Sequence, residues 1–100
     1  MVELIKVSGN SRTSAVAGAI AGVIREHGQA DVQAIGAQAV NQAVKALALA
    51  QRYLKRDNLE ILMRVEFVDI TIEDKVRTAI RFSVESRSVE GLDQDEDAIA

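Results

Sequence analysis

Ser8-Gly-Asn-Ser-Arg-Thr13 gathers three hydroxyls, a glycine and a guanidinium immediately ahead of an apolar helical pattern. A loop that runs into a helix N-terminus offers unpaired N–H groups and the positive end of the helix dipole, which suits a phosphate. Hydroxyl donors and the planar fork of Arg12 add to that character. The Gly-Lys-Ser/Thr ending of a nucleotide-hydrolysing loop is missing, so this is not a Walker-type loop. The same residues also suffice for a plain structural role. Gly9 would make the turn, and Ser11, Thr13 or Ser14 would cap the helix.

A second cationic set lies near the other end of the chain. Lys75, Arg77 and Arg81 are separated by two and four residues in a strictly alternating stretch, so they share one strand face. A basic ribbon of this kind can follow phosphates or enter a groove. Alternatively, the three are solvated charges opposite Glu66, Asp69, Glu73 and Asp74. Lys6 stands beside the loop at a strand end. Asn41 and Lys45 share a polar helical stripe with Gln38 and Arg52. The residues whose chemistry suits a polyanion such as nucleic acid are Lys6, Ser8, Gly9, Asn10, Ser11, Arg12, Asn41, Lys45, Lys75, Arg77 and Arg81.

The elements that must position these residues follow from hydrophobic spacing. Glu3 to Val7 reads as a strand. Val16, Ile20, Val23 and Ile24 form one helical face, and Gly28 suits the residue after that helix. Ala30 to Ile35 is a second strand, and Gly36 turns the chain into a second helix. There Val40, Val44, Leu47, Gln51 and Leu54 line one side. Twelve of the thirty-six residues from Ala15 to Ala50 are alanine, which lets neighbouring elements approach closely. Gly18 and Gly22 point to tight packing of the first helix on the sheet. The alanine-rich side of the second helix is a possible dimer contact.

The remainder is a long hairpin. Leu59, Ile61, Met63, Val65 and Phe67 alternate with polar neighbours, then the apolar set shifts to Val68, Ile70 and Ile72. That phase change predicts a β-bulge near Phe67–Val68. The turn falls at Glu73-Asp74-Lys75, and Val76, Thr78, Ile80, Phe82 and Val84 share one face of the return strand. Phe67 and Phe82 fit the core pattern, so the few aromatics make no stacking platform. Two β-α crossovers and a hairpin favour an α+β two-layer sandwich, with a four-stranded mixed sheet carrying both helices on one face.

Composition narrows the function classes. The chain of 100 residues makes one domain and contains no cysteine and one histidine, which removes disulfides, thiolate metal sites and His-rich metal sites. His27 reads as a helix-end residue favoured by the dipole. No nucleophile or general acid/base constellation stands out, so the expectation is no enzyme, no cofactor and no metal. With neither a membrane-length apolar run nor a signal-peptide pattern, a cytoplasmic protein is expected. The formal charge of −3 is uneven, because residues 88–100 hold five acids and no base. Residues 1–87 therefore carry twelve Lys/Arg against ten Asp/Glu, a net +2. The expected organisation is a domain over 1–87 and an acidic, disordered tail over 88–100.

Several segments resemble the stage V sporulation protein S family: Leu4-Ile-Lys-Val-Ser8, Val16-Ala-Gly-Ala19, Ala34-Ile-Gly-Ala37, Val40-Asn-Gln-Ala-Val-Lys45, Phe67-Val-Asp-Ile70 and Arg77-Thr-Ala-Ile80. That family is similar in turn to the Alba proteins. The resemblance implies an Alba-like β-α-β-α-β-β fold, nucleic-acid binding as a homodimer, and a role in bacterial sporulation and development. By the same resemblance the first loop, the start of the second helix and the hairpin face the ligand. Alba proteins place lysines in that loop, whereas this chain has only Arg12 there. The near-neutral charge of 1–87 keeps a rival reading open, an oligomeric protein–protein interaction module that binds no nucleic acid.

Overall fold

A computed structural model describes residues 2–92. The elements are β1 (Leu4–Val7), α1 (Thr13–His27), β2 (Gln29–Ala34), α2 (Ala37–Leu54), a 3-10 turn (Lys55–Asp57), β3 (Leu59–Ile72) and β4 (Lys75–Ser88). The four strands form one mixed sheet in the order β1-β2-β4-β3. β1 and β2 run parallel, and the other neighbours are antiparallel. This is the expected α+β fold with its β-α-β-α-β-β order.

One layer of the core is the helix-facing side of the sheet. Ala30, Val32 and Ala34 of β2 lie level with Val84, Phe82 and Ile80 of β4, and all but the half-buried Ile80 are buried. The other layer is built largely from alanine. Ala17, Ala21, Ala43, Ala46 and Ala50 are wholly inaccessible, with Ile20, Ile24 and Leu54 among them as the large side chains. α1 and α2 pack on each other as well as on the strands. Short side chains let these backbones come close, so a few bulky residues fill the space that remains. Ala39, Ala43, Ala46 and Ala50 of α2 are therefore spent inside the monomer, while Ala37 and Ala48 stay exposed.

Three local expectations are corrected. Gly18 and Gly22 face solvent, and a Cβ on either would meet no neighbour within 4 Å, so Ala17 and Ala21 supply the close packing instead. No side chain caps α1. Arg12 occupies the N-cap position, the Ser11 hydroxyl accepts from the Ser8 N–H at 2.9 Å, and the Thr13 hydroxyl is engaged by Gln42. The β3–β4 pairing also runs without interruption from Leu59↔Ser88 to Ile72↔Lys75, so no bulge breaks it.

The phase change has another cause. β2 ends opposite Ile80, so beyond that point β3 and β4 leave the body as a two-stranded arm. Neither face of the arm is covered by a helix, and the side-chain pattern there no longer answers to the core. Phe67, expected in the core, is 77% exposed on this arm. The tip is a two-residue turn in which Glu73 and Asp74 both have positive φ, 50° and 65°. That matches the twist of a tight hairpin and is a conformation that aspartate tolerates better than most residues.

Two residues in the left-handed region end other elements. Gly28 (φ 77°) donates its N–H to Ile24 O at 2.8 Å and closes α1. Asn58 (φ 54°) turns the chain into β3. Its carbonyl accepts from the Val89 N–H at 2.8 Å, so the chain stays fastened to the body one residue past β4. The acidic stretch expected to be disordered falls mostly on residues 93–100, which lie outside the described residues.

Candidate nucleic-acid interface

Because β1 and β2 are parallel, the two loops that follow them open at the same end of the molecule. The N-termini of α1 and α2 lie at that end, and the arm projects from it. The loop 8–12 is clamped there. Gln42 donates to Ser11 O at 2.8 Å, and Gly9 sits so close to Gln38 that a Cβ would stand 3.1 Å from its side chain. The Ser11 N–H closes a turn onto Ser8 O at 3.1 Å. Neither helix N-terminus carries a side-chain cap, which leaves first-turn N–H groups turned toward this end.

The sheet has a covered face and a bare face. Alternation assigns each residue once the buried set is known. Val32 and Phe82 face the helices, so Gln33 and Arg81, their sequence neighbours, lie on the opposite face, where Gln33 is nonetheless buried and Arg81 half-buried. Pairing then lines up Lys6, Gln33, Arg81 and Glu66 in one row across all four strands of the bare face. Arg81 is fixed in this row, since its Nε and Nη2 both donate to Gln33 Oε1. Farther along the same face of the arm come Val68, Ile70, Ile72, Ala79, Arg77 and Lys75. The stretch from Lys75 to Arg81 spans about 20 Å at ordinary strand rise.

Charge is segregated along this face. Lys6, Arg81, Arg77 and Lys75 occupy the half toward the arm tip, with Glu66 as the single acid among the strand residues there. The far half carries Asp31, Glu85 and Glu60, with Arg64 among them and Arg87 bonded to Glu60 at 3.1 Å. Asp69 belongs to the opposite face of the arm, where Thr78 donates to it at 3.2 Å. Glu73 and Asp74 occupy the turn. No described ion pair involves Lys75, Arg77, Arg81, Lys6 or Arg12.

The residues singled out in the sequence thus divide into three groups. Lys6, Lys75, Arg77 and Arg81 share the bare face. Ser8, Gly9, Asn10, Ser11 and Arg12 form the loop at the adjoining end. Asn41 and Lys45 lie exposed on α2, in the layer on the other side of the sheet, next to the glutamines that hold the loop.

An apolar surface was not read from the sequence. Met63, Val65 and Phe67 of β3 lie on the helix side but are not covered by α2, and are 40%, 53% and 77% exposed. Beside them Val44, Leu47, Ala48, Gln51, Ile61, Met63 and Phe82 line a groove of about 330 Å³. The signal was present in the phase change at Phe67–Val68, which marks where the strand leaves its covering helix.

Among the described residues no three His, Asp or Glu side chains come together as metal ligands, and no helix is long and apolar enough to cross a membrane. A family model for stage V sporulation protein S (SpoVS) matches residues 3–87. The chain belongs to the SpoVS family. The match spans every strand and helix of the sandwich except the last residue of β4, including the loop, the bare face and the arm. Membership in SpoVS makes this a sporulation-related protein.

Proposed function

We propose that this SpoVS protein is a non-enzymatic, cytoplasmic nucleic-acid-binding regulator of development that acts as a homodimer. The ligand's phosphates are held by the arm half of the bare sheet face and by the adjoining loop. The observation that carries this reading is the placement of Lys6, Arg81, Arg77 and Lys75 on one face of the sheet away from the helices, with Glu66 as the one strand acid beside them and Asp31, Glu85 and Glu60 in the other half. Four cations on a continuous surface raise the local potential over a patch long enough to meet several phosphates. Loop N–H groups and Arg12 extend the patch around the end of β1. No helix is presented for insertion into a major groove, so contact is mainly to the backbone and sequence preference is low.

Fluorescence anisotropy with labelled duplex DNA and single-stranded RNA, over a series of salt concentrations, tests the proposal. Five engaged cations from one protomer predict a log–log salt slope of about −4 to −5 per protomer bound. Absence of binding at low salt rejects it. That outcome would favour the protein–protein interaction module, which the exposed apolar strip of β3 supports on its own.

A further inference from the structure

β3 is an edge strand, and its outer edge holds backbone groups that nothing in the sheet pairs. The tight turn makes Ile72↔Lys75 the last pair of the β3–β4 ladder. In a two-residue hairpin that pair exchanges hydrogen bonds, so the even residues of β3 direct their N–H and C=O toward β4 and the odd residues direct theirs outward. The start of the strand confirms this phase. Gln51 Nε2 donates to Leu59 O at 3.0 Å, and the Ile61 N–H donates to Gln51 Oε1 at 2.8 Å. One glutamine side chain therefore stops the edge through Ile61, and the open stretch begins at Met63.

We propose that this stretch pairs antiparallel with the same stretch of a second copy, centred on Val65. The inference rests on the homodimer reading above and specifies its interface. The charges select the register. A two-fold pairing centred on Arg64 opposes arginine to arginine. One centred on Glu66 opposes glutamate to glutamate, and one centred on Met63 sets Glu60 against Glu66. Within one chain Arg64 Nε lies 3.7 Å from Glu66 Oε1 in an exposed ion pair. Centred on Val65, the pairing sets Arg64 of each copy opposite Glu66 of the other, twice by symmetry, which joins the two exposed pairs into one alternating cluster, and Leu62 faces Val68. On the helix side Met63 faces Phe67. The Phe67 ring, 77% exposed in the monomer, then lies beside the partner's Met63 and the groove floored by Phe82.

The ladder covers Met63 to Phe67 and ends where Gln51 already serves the strand. A two-fold axis perpendicular to the sheet keeps both bare faces on one side. The two cationic halves then belong to a single eight-stranded surface.

Sedimentation velocity and light scattering on the full chain test this. Wild type is expected to be a dimer. Arg64→Glu and Glu66→Arg each turn two attractive pairs repulsive and raise the dimer dissociation constant at least about tenfold, and the double swap restores it. Val65→Pro removes an outward N–H that the sheet leaves unpaired among the described residues, so its circular dichroism stays native while dimerisation is lost. A monomeric wild type overturns both the inference and the homodimer reading. A dimer that is indifferent to Val65→Pro and to both single swaps, or a double swap that does not restore dimerisation, overturns the inference alone.

Discussion

Ala43→Leu is expected to lower the unfolding free energy by about 3 kcal/mol, while Ala19→Leu changes it by less than about 0.5 kcal/mol. Both replace a helical alanine by another strong helix former, so intrinsic propensity hardly separates them. Their surroundings do. Ala43 is wholly inaccessible within α2, in the cluster formed by α1, α2 and the sheet, whereas Ala19 is exposed on α1. Three added carbons at Ala43 force apart backbones whose separation is set by alanine on both helices. Urea unfolding at a fixed protein concentration reads the difference, because the proposed dimerisation would make apparent stability concentration-dependent. Equal midpoints for the two variants would mean that the helices do not meet through their small residues.

The second large effect concerns the ligand. The triple variant Lys6→Ala, Lys75→Ala, Arg77→Ala is expected to weaken duplex binding about a hundredfold at low salt and to flatten the salt slope by about 3. Each removed cation gives up one released counterion, and all three sit on the arm half of the bare face. Arg81 is left in place because it is bonded to Gln33 within the sheet, so its removal would mix a folding effect with a binding effect. The charge-matched control is Arg52→Ala, Lys55→Ala, Arg56→Ala. These residues lie at the C-terminal end of α2 and in the turn after it, at the end of the domain away from the arm. The control keeps the wild-type slope. If binding followed total charge alone, both triples would weaken it equally.

The order of elements was legible because each obeys one dominant period. The apolar residues of α1 and α2 recur at helical spacing, and Val76 to Val84 alternate without a break. The face shared by Lys75, Arg77 and Arg81 followed from strand geometry alone, and so did the assignment of Phe82 to the core. Phe67 was misread for the same reason that Phe82 was read correctly. Periodicity shows which side of a strand is apolar, but not how far along the strand the covering helix extends. That depends on where β2 and α2 stop, a tertiary fact. Gly18 and Gly22 failed similarly, since G-x-x-x-G records a small-residue stripe without saying which neighbour, if any, it meets. Ser11 and Thr13 have the chemistry of helix caps, yet Ser8 and Gln42 compete for the same hydroxyls from the loop and from α2. The union of Lys6 with the hairpin cations, seventy residues away in the chain, required the β1-β2-β4-β3 order and could not be read locally.

The placement of the ligand is tested most directly by backbone amide shifts in the full-length protein titrated with a short DNA duplex. Binding on the bare face predicts perturbations concentrated at Lys6, the 8–12 loop, Gln33, Arg81, Arg77 and Lys75, with Asp31, Glu85 and the C-terminal turns of α2 unmoved. Shifts confined to α2, or to the Asp31–Glu85 half of the sheet, would contradict it.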